Sequence, residues 1–149
     1  MLRLMQHSAG AGSMSDNSKF DFSAHGFFIV EDEKFSQHVA SKILSGLGAK
    51  SISFASNGIE ALEQLGDPSK ISDILLVDLN MPEMNGVEFL RNLASMEFTN
   101  PIILLSGADE LTVQVAETLA SYRGLNILGR ISKPLTTDNL REMLMKAGQ

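Results

Sequence analysis

A chain of 149 residues is the length of one domain, and with no cysteine it excludes disulfides, zinc–thiolate sites and thiol catalysis. The formal net charge of −6 and a pI near 5.0 argue against the basic surface that nucleic-acid binding requires. No apolar run approaches the roughly 20 residues of a membrane-spanning helix, and none has the h-region of a signal peptide, so a cytoplasmic setting without membrane contact is expected.

Residues 1–24 are small, polar and without period, and read as a disordered leader carrying no chemistry; a single domain is expected over residues 25–149. Phe27-Phe28-Ile29-Val30 is an apolar run that stops abruptly at Glu31-Asp32-Glu33, the pattern of a strand buried on both faces that emerges at a charged end. Phe35, Val39, Ile43 and Leu47 then recur at helical spacing, with Gly46 and Gly48 as stop signals. Ser51–Ala55 alternates as a weaker strand. Asn57 followed by Glu60 marks a capping-box start for a helix holding Ala61, Leu62 and Leu65.

A second strongly buried strand, Ile74-Leu75-Leu76-Val77, again ends in a charge, Asp78. The loop text LNMPEMNG follows, then a helix marked by Val87, Leu90 and Leu93. Pro101 to Leu105 forms the next strand and ends at Ser106-Gly107. A long helix is expected over roughly Glu110 to Tyr122, with Leu111, Val115 and Leu119 on one face, and Gly124 stops it. Leu125–Leu128 and Ile131 make the last strand region, which ends at Lys133-Pro134; Thr136 or Thr137 caps a final helix through Leu140, Met143 and Leu144.

Five strands alternating with five helices imply an α/β, doubly wound parallel sheet with helices on both faces, and right-handed crossovers favour the order 2-1-3-4-5. Ligands of such sheets gather at the carboxyl ends of the strands. There the first strand delivers Glu31 and Asp32, the third Asp78, the fourth Ser106 and the fifth Lys133. Taken singly, each has an ordinary explanation as a strand exit, cap or turn residue. Taken together, three carboxylates repel unless a cation joins them, and a hard divalent ion with oxygen ligands, Mg²⁺, meets that need. An Asp carboxylate can attack phosphorus to give an aspartyl-phosphate, with Lys133 and the Ser106 hydroxyl neutralising and positioning the phosphoryl oxygens. His7, His25 and His38 have no metal-ligand company and are expected at the surface.

The segments FFIVEDE, NGIEALEQL, DILLVDLNMPEMNGVEFL, PIILLSG and ISKPL resemble the response-regulator receiver family, the CheY-like domains of two-component signalling, over about Phe27 to Leu144. The resemblance implies that Asp78 is the phosphoacceptor, that Glu31 and Asp32 bind Mg²⁺ (or Mn²⁺ in its place), and that the backbone carbonyl of Asn80 completes the metal site. It also implies Ser106 as the switch hydroxyl, Lys133 as the phosphoryl partner, and a cis bond between Lys133 and Pro134. The implied donor is a phosphohistidine on a sensor histidine kinase or histidine phosphotransfer protein. The role is regulatory rather than that of an enzyme, and a downstream protein or output domain reads a switched face.

Two departures stand out. Arg130 occupies the position where the family usually has an aromatic switch residue, and the stretch between Ser106 and Lys133 is long. The long stretch resembles receivers that precede EAL-type cyclic di-GMP phosphodiesterase domains. A phosphorylation-independent pseudo-receiver acting as a binding module is the alternative that Arg130 keeps open. A flavodoxin-like FMN enzyme on the same topology is rejected, because Glu31-Asp32-Glu33 would repel a phosphate where that cofactor needs a cradle.

Overall fold

Strands that are apolar at every position need cover on both sides, and the chain supplies it by alternating helices above and below one sheet. The computed structural model describes residues 20–66, 73–80, 86–107 and 110–147. The elements are β1 (Gly26–Val30), α1 (Lys34–Gly46), β2 (Ser51–Ala55), α2 (Gly58–Leu65), β3 (Ile74–Asp78), α3 (Gly86–Ser95), β4 (Ile102–Ser106), α4 (Glu110–Arg123), β5 (Ile127–Ser132) and α5 (Thr137–Ala147). The sheet runs β2-β1-β3-β4-β5 with every pair parallel, as the alternation of elements predicts. β3 is central and fully buried, while the edge strands β2 and β5 are only partly so.

Successive strand residues point to opposite faces, so the sheet divides the interior into two layers. Phe28, Val30, Leu75, Val77 and Leu104 pack under α2, α3 and α4 against Ala61, Phe89, Leu93 and Ala116. Phe27, Ile29, Leu76, Ile103 and Ile131 pack on the other side under α1 and α5, against Leu44, Leu140 and Leu144.

Helix ends follow the local chemistry. The Asn57 side chain accepts from the Glu60 N–H at 2.7 Å while Glu60 accepts from the Ser56 N–H, closing the start of α2. At α5, Thr136 Oγ1 accepts from the Asn139 N–H at 3.0 Å and Asn139 Oδ1 accepts from the Thr136 N–H at 2.8 Å, which settles Thr136 as the cap. Gly124, at φ +83°, ends α4 in a conformation that costs glycine little. Gly86 begins α3 so close to Leu79 that a Cβ would lie 2.5 Å from the Leu79 Cα.

Two expectations need correction, those on the leader and on His25. The leader does not extend to residue 24: Phe20 and Phe22 are buried in the α1/α5 layer, and Phe22 lies edge-on to Phe20 at 4.9 Å and stacks on Phe27 at 5.8 Å. These two aromatics have no period for a sequence pattern to detect, yet each brings enough apolar area to anchor the segment; residues 1–19 lie outside the described residues. In α1, Phe35 is 71% exposed and the buried positions are Ala40 and Leu44. In α4, Leu111 and Val115 face outward and Val113, Ala116 and Ala120 face the sheet. His25 is largely buried rather than superficial, stacked on Phe20 at 4.8 Å with Nδ1 3.4 Å from an Asp73 oxygen; His38 is exposed as expected, and His7 lies outside the described residues.

Candidate functional site

The strand order decides which side chains meet. β3 lies between β1 and β4, so the carboxylate ending β3, Asp78, has the end of β1 on one side and the end of β4 on the other. The ladder carries these ends directly: the Glu31 N–H donates to Ala55 O at 3.0 Å, Leu79 N–H to Leu105 O at 3.0 Å, and Lys133 N–H to Ser106 O at 2.7 Å. The Lys133–Pro134 bond is cis.

Glu31 (3% exposed) and Asp78 (1% exposed) are buried carboxylates, and Asp32 beside them is open to solvent. One oxygen from each lies within 4.8 Å of the others. Lys133 Nζ sits against two of them, 3.1 Å from Asp78 Oδ2 and 3.3 Å from Glu31 Oε1. The Asn80 N–H donates to Asp78 Oδ1 at 2.9 Å and the Glu33 N–H to Glu31 Oε2 at 3.2 Å, so both oxygens of each buried carboxylate have a donor. Ser106, ending β4, is also buried.

The electrostatics of this set are unbalanced. Burial, and then the charge of Asp78, push the Glu31 carboxyl up from 4.5 to about 7, against the pull of the Glu33 N–H and Lys133. For Lys133, burial works to lower the pKa, but the hydrogen bond and charge of Asp78, with Glu31, outweigh it and hold the ammonium above its usual 10.5. One ammonium faces three carboxylates. A divalent cation would cancel the remaining two negative charges. The donor set suits one: the ligands are all oxygens, and one from each carboxylate lies within 4.8 Å of the others. Glu31, Asp32 and Asp78 are the residues that would hold it.

The fold brings Glu31, Asp32, Asp78 and Lys133 into one cluster with Ser106 at the adjoining strand end, while the contact seen at Asn80 is its N–H to Asp78 rather than the carbonyl that the sequence reading named. Arg130 is exposed on the edge strand β5, opposite Leu104, rather than beside Asp78. The loop at residues 81–85 and Ala108 lie outside the described residues. Two contributors carry no signal in the sequence: the Glu33 backbone N–H, and Gln37, whose Nε2 donates to the Glu31 carbonyl at 2.6 Å and to Ser56 Oγ at 3.4 Å. A backbone donor has no side chain to betray it, and Gln37 reads as one more polar position on a helix.

A family model described as "Response regulator receiver domain" matches residues 27–145. Over 118 residues the chain is 31% identical to the cyclic di-GMP phosphodiesterase RocR of Pseudomonas aeruginosa, covering 79% of this chain and 30% of that protein. It is 33% identical over 121 residues to the chemotaxis protein CheY-3 of Vibrio cholerae, covering 79% of this chain and 87% of that one. The solved structure of a response regulator from Colwellia psychrerythraea superposes with a TM-score of 0.68 at 30% identity, covering 82% of this chain and 94% of that one. The chain spans about a third of the length of several curated relatives it matches. Among the described residues, no helix is long and apolar enough to cross a membrane.

Proposed function

The chain belongs to the response-regulator receiver family of two-component signalling, and from that premise we propose that Asp78 is its phosphoacceptor, with Glu31, Asp32 and Asp78 holding Mg²⁺ or, in its place, Mn²⁺. The observation that carries this reading is the position of Asp78 on the central strand, with the buried Glu31 carboxylate on one side, Ser106 on the other, and the Lys133 ammonium 3.1 Å away.

An Asp78 carboxylate oxygen attacks phosphorus in line with the phosphorus–nitrogen bond of a phosphohistidine. That bond breaks, its electron pair leaves with the imidazole, and an acyl phosphate forms on Asp78. Mg²⁺, when bound, supplies charge neutralisation for the phosphoryl oxygens. Lys133 exchanges part of its contact with the Asp78 carboxylate for a phosphoryl oxygen, and the Ser106 hydroxyl donates to another. The Asn80 N–H fixes the carboxylate orientation before reaction, and the Asn80 carbonyl would be a further ligand to the metal.

The donor is a sensor histidine kinase or a histidine phosphotransfer protein, and the setting is cytoplasmic. The likeness to RocR supports an output of the cyclic di-GMP phosphodiesterase kind. Arg130, in place of an aromatic ring, belongs to the face such an output would read.

Intact-protein mass after incubation with Mg²⁺ and acetyl phosphate, run beside Asp78→Asn, tests the assignment. The expected outcome is a Mg²⁺-dependent gain of one phosphoryl mass in the wild type and none in the variant. Labelling of the variant at another residue would overturn it.

A further inference from the structure

Asp32 differs from the other two carboxylates of the rim. Glu31 and Asp78 are buried, and each meets Lys133 and a backbone N–H. Asp32 is exposed, and its carboxylate has no hydrogen bond or ion pair among the described residues. An aspartate with no side-chain partner loses rotamer freedom when it takes up a fixed position. Its direction must therefore come from the backbone that carries it.

That backbone is held on both sides of residue 32. Gln37, at the start of α1, donates from Nε2 to the Glu31 carbonyl at 2.6 Å. A peptide unit is planar, so fixing this carbonyl also fixes the plane from which Asp32 departs. On the other side the Glu33 N–H donates to Glu31 Oε2 at 3.2 Å, and the Glu33 carbonyl accepts from the Gln37 backbone N–H at 3.0 Å. Gln37 thus brackets Asp32, with its side chain on the residue before and its backbone on the residue after. The same side-chain nitrogen lies 3.4 Å from Ser56 Oγ, just past β2, where Ala55 O already holds the Glu31 N–H at 3.0 Å.

We propose that Gln37 is a positioning residue for the cation site: by holding the Glu31 carbonyl it aims the Asp32 carboxylate at the ion that Glu31 and Asp78 share. This rests on the reading of the acidic cluster as a Mg²⁺ site. Gln37 itself touches neither the ion nor the phosphoryl group. Losing the partner that orients a metal ligand costs roughly 10- to 100-fold in affinity, and a ligand held through its peptide rather than directly belongs at the low end.

Mn²⁺ binding to the full chain at pH 8, read from the electron paramagnetic resonance of the free ion, tests this. Gln37→Met keeps the length of the side chain and removes the donor, and it should bind Mn²⁺ about tenfold more weakly than the wild type. The second readout is the cost of Asp32→Asn in each background. In the wild type that change should weaken binding about tenfold, because it removes one of the ligand charges. In Gln37→Met it should cost less than about twofold further, because the carboxylate it removes is no longer aimed. A merely structural loss would leave the factor the same in both backgrounds, and equal factors overturn the proposal. So does a Gln37→Met variant that binds Mn²⁺ as the wild type does. A wild type that binds no Mn²⁺ overturns the cation reading itself, and the proposal with it. Melts in a chelator establish that each variant is folded at the assay temperature. Gln37→Ala, which places a strong helix former there, is a second donor-free variant and should behave as Gln37→Met does.

Discussion

Replacing Glu31 with Gln should stabilise the metal-free protein at pH 8 and leave it unchanged near pH 4. The carboxyl is raised from 4.5 to about 7 by burial and by Asp78. Between those values the folded state keeps a proton that the unfolded chain has released, so stability falls as pH rises from about 4.5 to about 7 and levels off above. At about 1.4 kcal/mol per pKa step the ceiling is roughly 3 kcal/mol. Sharing with Asp78, the open rim beside Asp32 and the lost contact to Lys133 reduce the gain to about 1–2 kcal/mol, or roughly 3–6 °C in Tm. Thermal melts in a metal chelator from pH 4 to pH 8.5 read this directly: the wild type should slope downward and Glu31→Gln should run flat across the same window. Added Mg²⁺ should raise the Tm of the wild type at pH 8 by more than that of the variant. A variant that melts no higher at pH 8 and keeps the wild-type slope would refute the placement of Glu31 as a carboxylate held ionised at a cost.

Three further expectations rest on packing and on the acceptor. Phe22→Ala should destabilise by about 3–5 kcal/mol in urea titration, because it empties a site between Phe20 and Phe27; an unchanged midpoint would mean that the segment does not pack. Gly86→Ala should cost about 1–3 kcal/mol, since its Cβ meets the Leu79 backbone. Gly129→Ala is the control, because its Cβ meets only the flexible end of Met143, and a loss as large there would contradict the steric account. Asp78→Asn should retain a cooperative melt while taking up no phosphoryl group; a collapsed fold would show that the carboxylate is structural.

The sheet and the rim were legible because of how a parallel sheet is built. Strands buried on both faces are apolar throughout, and each stops where a functional polar group appears, so Val30-Glu31, Val77-Asp78 and Leu105-Ser106 are visible as edges in the text. The helices were harder. A strict four-residue spacing such as Phe35, Val39, Ile43, Leu47 drifts about 40° per step around a helix, so its two ends cannot share one face. Phe35 is the end left outside. In α4 alanines hold the core side at positions 116 and 120 while the larger Leu111 and Val115 stand outside, and side-chain size does not report which face a neighbouring sheet requires. Phe20 and Phe22 stand in polar text with no repeat to announce them. Within the site, the types of the charged residues were enough to infer a cation, whereas the donors that orient them are backbone groups set by turn geometry.

The sheet is also a partition. Its two sides are filled by separate sets of side chains, one under α1 and α5 and the other under α2, α3 and α4. Substitutions on opposite sides share few neighbours, so their effects should add, and each compartment can drift in sequence without asking the other to repack. The carboxyl rim is where this independence ends. Glu31, Asp78, Ser106 and Lys133 leave the sheet along its edge rather than through either compartment, so they can be kept while both interiors change. A chain sharing about a third of its residues with its relatives can thus preserve one chemistry on two freely diverging interiors.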